Sequence, residues 1–191
     1  MSESHQVQIL AFVGLTGSGK SAAVDYVCGK NIPKIYSGGF IVEGVKAQGL
    51  EVNPENEKAY RESMRAQHGN DYFIRLAAEQ MHHLVNAGQH KIVFDGLYTW
   101  TEYKYLKHEF PGELITVAVV TPKHARHRRL SNRPVRPLTI EEASSRDWAE
   151  IETLEKGGPI AIADYFIHND KDVENLHRQI NDVLTATKFL S

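Results

Sequence analysis

The feature that most constrains this chain is the junction "VQILAFVGLTGSGKSAAVDYV", where the apolar run 7–13 leads straight into Gly14-x-x-x-x-Gly19-Lys20-Ser21 and a helix-like pattern follows. An apolar run without polar alternation reads as a strand covered on both faces, as in a parallel sheet. The glycines let the backbone turn so that successive N–H groups face one concavity, and the helix that starts there adds the partial positive charge of its N-terminus. Strand, glycine-rich turn and helix in this order make a phosphate-binding loop. Gly14, Thr16, Gly17, Ser18, Gly19, Lys20 and Ser21 are its expected phosphate-binding residues. Lys20 would reach the terminal phosphates, and Ser21 would offer its hydroxyl to Mg²⁺.

Further β-branched runs at 34–37 ("KIYS"), 91–95 ("KIVFD"), 114–120 ("LITVAVV") and 164–169 ("DYFIHN") predict strands. Between them, helices are predicted at 20–30, 40–48, 54–67, 72–87, 99–107, 123–130, 139–156 and 173–187. Strands alternating with helices give an α/β three-layer fold. At 191 residues and 41% hydrophobic, the chain suits one domain over 1–191 with one active site. It carries no internal repeat, low-complexity tract or Pro/Gly-rich linker. Two stretches exceed a simple crossover: 40–88 is a candidate acceptor-binding arm, and 122–156 a candidate lid.

"IVFDG" places Asp95 at the C-terminal end of a strand, aimed at the crevice where ligands bind, and suited to hold Mg²⁺ through water. Many ATP-hydrolysing motors follow this aspartate with a glutamate that orients water. Gly96 leaves that place empty, which leans toward transfer onto a bound acceptor. The segment "PKHARHRRLSNRPVR" has six basic residues and no acid, a patch that expects an anion. Arg126, Arg129 and Arg133 recur at helical spacing and would share a face. Arg133 and Arg136 each precede proline, so "NRPVRPLT" should be a loop springing from that helix. Cations closing from such a loop stabilise a phosphoryl group in transit, and the planar arginine fork bridges two oxygens. The net charge of −2 and the lack of a wider basic face speak against nucleic acid as the partner.

The phosphate loop, "FDG", "RRLSNR", "SSRD" and "ADYFIHND" occur in the order found in P-loop small-molecule kinases related to dephospho-CoA kinase and adenylate kinase, which the chain resembles over nearly its whole length. "QGLEVNPEN" and "ADYFIHND" look especially like dephospho-CoA-kinase-like proteins. The resemblance implies a five-stranded parallel sheet with a lid, and a Mg²⁺- and ATP-dependent kinase. It further implies that Arg129 flanks the adenine, that Arg133 and Arg136 contact transferring phosphates, and that the loop at Asn169-Asp170 borders the base. The chain also departs from these kinases. Where dephospho-CoA kinases carry an aspartate base after the second strand, it reads "YSGGFIVEG", with Gly39-Phe40 near that place. Where adenylate kinases grip the acceptor phosphate with arginines, it has Glu43 or Gly44, and Tyr98.

A monophosphate acceptor would need replacement cations, for which Lys46, Arg61, Arg65 and Arg75 are candidates, with Arg75 the best placed inside "YFIRLAA". A hydroxyl acceptor would need a base, and Glu43 is the nearest. Tyr36, Phe40, Tyr98 and Trp100 would cluster on the acceptor side, to stack on a base or to pack the core. Lone Cys28 fits a buried small hydrophobe and a reducing cytosol. His124 with His127, and the pair His82-His83, lack partners at metal-ligand spacing. The polar start "MSESHQVQ" and the lack of a long apolar run predict no membrane partner and a cytoplasmic protein, monomeric or homodimeric. The expected partners are ATP and a small nucleotide-like acceptor, a nucleoside monophosphate or a dephospho-CoA-like hydroxyl. A nucleotide sensor or slow ATPase, and a polynucleotide end kinase, are the alternatives.

Overall fold

Alternate residues of the first strand serve opposite sides of the molecule. In the computed structural model, which describes residues 6–190, Ile9, Ala11 and Val13 face one helical layer while Leu10 and Phe12 face the other. Residues 1–5 of the polar start lie outside the described residues. The strands are β1 (Gln8–Val13), β2 (Lys34–Tyr36), β3 (Lys91–Asp95), β4 (Leu114–Val120) and β5 (Tyr165–His168). They form one parallel sheet in the order β2-β3-β1-β4-β5. Ile9 pairs in register with Ile92 on one side and Leu114 on the other, so β1 is central and the loop after it opens at the C-terminal edge, where such sheets bind ligands.

The helices are α1 (Lys20–Cys28), α2 (Ser37–Ala47), α3 (Pro54–His68), α4 (Tyr72–Asn86), α5 (Trp100–Glu109), α6 (Lys123–Asn132), α7 (Ile140–Glu152), α8 (Gly157–Ala161) and α9 (Val173–Ala186). On one face of the sheet, Ile74, Ala77 and Met81 of α4 and Leu106 of α5 pack against Ile9, Ile92 and Phe94. On the other, Val24 and Val27 of α1 and Leu176, Ile180 and Leu184 of α9 pack against Leu10, Phe12, Val117 and Val119. Both layers are fully buried, at about 25 cal/mol per Å² of apolar surface removed from water, which fixes β1 and hence the loop that leaves it. Cys28 is half-buried beside the second layer, and burial raises its thiol pKa, as expected of a packing residue.

The expected three-layer α/β fold is observed, and most element ends fall within two residues of their expected places. Two elements differ. α2 starts at Ser37 rather than residue 40, because Gly38 and Gly39 are helical: a Cβ at Gly38 would lie 2.4 Å from the Tyr36 ring. The helix expected over 139–156 breaks after Glu152, with Glu155 in the left-handed region at φ 51°, and α8 follows. That break turns Lys156 inward, with consequences for the site.

Candidate active site

The P-loop begins where β1 ends and closes into α1. Gly17 and Gly19 have φ of 84° and 95°, a region glycine enters freely. Gly19 is also the N-cap of α1 and supplies no side-chain cap, so the helix presents its first N–H groups to the cavity rather than to its own side chains. A Cβ at Gly19 would stand 2.1 Å from Asn169 Nδ2. Asn169 is buried and donates that amide to the Ser18 carbonyl at 2.7 Å, while the Thr121 hydroxyl donates to the same carbonyl at 3.0 Å. The loop is thus held from below by β4 and β5.

Lys20 leans across the loop to form an ion pair with Asp95 at the end of β3. Both are largely buried, and the Lys20 ammonium also lies 5.7 Å from the centre of the Tyr98 ring. Gly96 has a steric reason beyond the chemistry expected of it. Its φ is 146°, and a Cβ there would meet Ser37 Cβ at 2.3 Å, so no larger residue fits between β3 and the start of α2. Ser21 lines the cavity at the first turn of α1. Among the described residues no group of three or more His, Cys, Asp or Glu is placed to hold a metal ion. Ser21 and Asp95 suit instead an ion held jointly with phosphates and water, the usual mode for Mg²⁺. His82 and His127 are engaged by Glu109 and Asp147 at 2.8 and 2.9 Å.

The stretch expected to be a lid reaches the loop through side chains that local sequence did not mark. Glu150 on α7 is 2% exposed and accepts from the Thr16 N–H at 2.9 Å, from the Thr16 hydroxyl, and from Lys156 Nζ at 2.8 Å. Burial opposes its ionisation, but Lys156 and Thr16 outweigh it and hold the carboxyl below the usual glutamate range. Burial also draws the Lys156 ammonium below the usual lysine range, though Glu150 resists. Lys156 lies 5.0 Å from the Tyr98 ring centre, and burial, with Asp95 next, pushes the Tyr98 phenol far above its ordinary pKa. Glu150 and Lys156 meet only because the helix breaks between them, a break their sequence does not announce.

The arginines divide. Arg126 turns toward the loop but is already engaged: it is 5% exposed, forms a fork to Asp147 at 2.6 and 2.8 Å, and donates to the Thr16 carbonyl at 3.1 Å. It ties α6 to α7 and to the loop, leaving no free fork for a phosphate. Arg129 lines the cavity and donates to the Asn169 carbonyl at 2.8 Å, and Arg133 lines it from the end of α6. Arg136 stands outside, exposed at φ 52°, its carbonyl accepting from Arg133 Nε. Asn169 lies under the loop rather than on the cavity wall.

The cavity has a volume of about 780 Å³ and runs without interruption from Gly14–Ser21 to α2 and α3. Lys20, Arg61, Arg65, Arg129, Arg133, Arg146 and Lys156 line it, against Glu102 and Glu150 as carboxylates. Ile41, Phe73, Leu130, Leu154 and Tyr98 supply its apolar walls. Of the candidate replacement cations, Arg61 and Arg65 reach it. Arg75 does not: it is turned to Asp71 at 3.4 Å and to the His68 carbonyl at 2.6 Å. Lys46 and Glu43 are exposed on α2, outside the lining. Phe40 packs into the core, Tyr36 is half-exposed, and Trp100 stacks on Tyr103 at 5.3 Å.

A protein from Thermococcus onnurineus (strain NA1) described as a UPF0200 protein is 32% identical over 179 residues, 92% of this chain and 96% of that one. The chain belongs to the UPF0200 family. A UPF0200 protein of Thermococcus kodakarensis is 31% identical with the same coverage. No protein-family model matches the chain. Among solved structures, this UPF0200 chain is similar to shikimate kinase from Bacteroides thetaiotaomicron, with a TM-score of 0.59 at 14% identity over 95% of this chain and 98% of that one. It is similar also to a gluconokinase from Sinorhizobium meliloti (TM-score 0.57, 14% identity, 94% and 93% covered) and to dephospho-CoA kinase from Campylobacter jejuni (0.55, 15%, 94% and 96%). At these identities the likeness is one of fold, and the UPF0200 fold is that of P-loop kinases. It is shared across kinases of unlike acceptors and does not single out the dephospho-CoA and adenylate kinase group. Among the described residues of this UPF0200 chain, no helix is long and apolar enough to cross a membrane.

Proposed function

We propose that this protein is a Mg²⁺- and ATP-dependent phosphotransferase acting on a small nucleotide-like acceptor. The observation that carries the reading is that the P-loop, a set of lid cations and a partly apolar acceptor wall meet in one cavity of about 780 Å³. A hydrolase needs only the first of these and a positioned water, whereas a transferase needs all three.

In this reading the loop N–H groups and the N-terminus of α1 receive the donor phosphates. Lys20 exchanges its bond to Asp95 for the terminal phosphate and follows it as it moves. Bound Mg²⁺, held by Ser21 and Asp95 with the phosphates, would neutralise developing charge. Arg129 flanks the donor base, and Arg133 and Arg146 approach the transferring group from the lid. Arg136 reaches the group only if the loop after α6 closes further. Enclosure of the cavity by α7 keeps water from competing for the phosphoryl group. The kinases of like fold act on shikimate, gluconate and dephospho-CoA, as their names say, and such breadth is consistent with a common donor half and a variable acceptor half.

A second reading, a nucleotide sensor, is favoured by one observation: Glu150 already engages the P-loop at Thr16, so nucleotide occupancy and lid position are coupled. The test is ADP production from Mg²⁺-ATP with and without a panel of nucleoside monophosphates and dephospho-CoA, with Lys20→Ala as the blank. A phosphotransferase shows one acceptor raising turnover at least tenfold above the ATP-only rate, and Lys20→Ala abolishes the gain. ATP binding with no acceptor effect favours the sensor.

A further inference from the structure

The acceptor half contains cations without an assigned task and no free base. Arg61 and Arg65 are one turn apart on α3 and line the same cavity as the P-loop. Among the described residues Arg61 makes no ion pair or hydrogen bond. Arg65 approaches Glu102 at 3.7 Å, beyond hydrogen-bond range, and its Nε is buried with no partner. Arg61 thus lacks an anion altogether, while Arg65 has only the long ion pair to Glu102 and keeps an orphaned buried N–H. The fork geometry of arginine suits a phosphate's oxygens.

Every carboxylate in or beside the cavity is already committed. Glu102 accepts from the Tyr98 and Thr99 N–H groups, both at 2.9 Å, as the capping box of α5. Glu150 is taken by Thr16 and Lys156, and Asp95 by Lys20, which in the proposed reading gives it over to Mg²⁺ when Lys20 moves to the phosphate. Glu43 lies outside the lining, and the Tyr98 phenol keeps its proton. An alcohol acceptor must lose a proton as it is phosphorylated, and no group here is free to take it. A phosphate monoester has already lost its second proton near pH 6 and needs none removed.

We infer that Arg61 and Arg65 are the seat of the acceptor's phosphate, and that the acceptor is a phosphate monoester whose own ionised oxygen is the nucleophile. This deepens the phosphotransferase reading and rests on it for the chemical step, while the anion seat stands on its own geometry. In the step, a non-bridging oxygen of the acceptor phosphate forms a bond to the γ-phosphorus of ATP. The bond from that phosphorus to the β,γ-bridging oxygen breaks, and ADP leaves with the electron pair. A new anhydride is formed and no proton changes hands. Arg61 and Arg65 offset the repulsion between two polyanions, a repulsion that a neutral alcohol acceptor would not raise.

The probes are AMP, GMP, CMP and UMP, their unphosphorylated nucleosides, and dephospho-CoA, whose reacting group would be a hydroxyl. Each is titrated calorimetrically into protein saturated with a non-hydrolysable Mg²⁺-ATP analogue, and transfer is followed by ³¹P NMR. At least one monophosphate should bind, its nucleoside at least tenfold more weakly. Arg61→Ala should weaken that monophosphate about 10- to 100-fold without altering affinity for the ATP analogue. Arg61 has no structural partner, so this variant tests the site without disturbing the fold, and Arg61→Lys should recover part of the loss. Equal binding of nucleoside and monophosphate, or an Arg61→Ala variant with unchanged affinity, overturns the proposal. Arg61-dependent monophosphate binding without transfer retains the seat and sinks the phosphotransferase reading. Transfer to dephospho-CoA unaffected by Arg61→Ala keeps that reading and sinks this one.

Discussion

Asn169 shows how a residue can be found by sequence and still be misjudged in its task. The resemblance to P-loop small-molecule kinases implies that its loop borders a nucleotide base. Asn169 is instead buried beneath the P-loop, its amide on the Ser18 carbonyl and its Cγ region filling the space a Gly19 side chain would need. Asn169→Ala should therefore lower stability by about 0.5–1.5 kcal/mol, the range for a lost hydrogen bond, since the Thr121 hydroxyl still donates to the Ser18 carbonyl, and weaken ATP binding by loosening the loop. Urea unfolding and nucleotide titration check both, and a variant with wild-type ATP affinity would show that the loop holds its shape without Asn169. Gly19→Ala should be worse than either, because it meets strain at φ 95° and a 2.1 Å clash together. The P-loop was legible because its chemistry lies in eight consecutive positions. Glu150 was not legible, because its bond to Thr16 spans 134 residues and no local pattern records it.

At the scale of elements, α7 is the part whose position the chemistry depends on. Its capping box, Thr139 with Glu142, sets where it starts, and the break at Glu155 sets where it ends. Its inner face holds Asp147 on Arg126 and His127, and Glu150 on the P-loop. A carboxylate at the mouth of a phosphate site opposes an incoming anion. Glu150→Gln removes that charge and frees Lys156 for the phosphates, so ATP should bind about three- to tenfold more tightly. Trp148, on the same helix and 65% exposed, reports the movement, and the only other tryptophan, Trp100, can be replaced by phenylalanine. In that background, ATP should change Trp148 emission in the parent and less in Glu150→Gln, where α7 is already released. Identical titrations in the two proteins would mean that Glu150 does not gate the loop. The helices and strands themselves were legible because apolar runs and polar spacers alternate cleanly. The start of α2 was not, since Gly38 reads as a helix breaker until the Tyr36 ring packed over it is seen.

For the whole molecule, both buried layers follow from strands that are apolar on both faces, a signal that β1, β3 and β4 display in their sequences and the edge strands β2 and β5 do not. What stabilises the arrangement of lid on sheet is different in kind, because it is ionic, and that makes it dependent on pH. Burial disfavours the charged form of Asp147, but hydrogen bonds from Arg126 and His127 prevail, and its carboxyl is held below the usual aspartate range. Glu150 is held low in the same way by Lys156 and Thr16. A carboxyl with a folded pKa below its unfolded value of about 4 contributes stability above that value and loses it as pH falls through the folded pKa. The urea midpoint should therefore fall as pH drops below about 4, and part of that fall should belong to α7. Asp147→Asn leaves Arg126 buried without its counter-charge, so its midpoint should lie well below wild type at pH 7. Since the asparagine does not titrate, the gap should narrow steadily between pH 4 and pH 2. Curves that stay parallel across that range would mean that Asp147 is protonated alike in the folded and unfolded chain, and that acid loosens the protein at some other place.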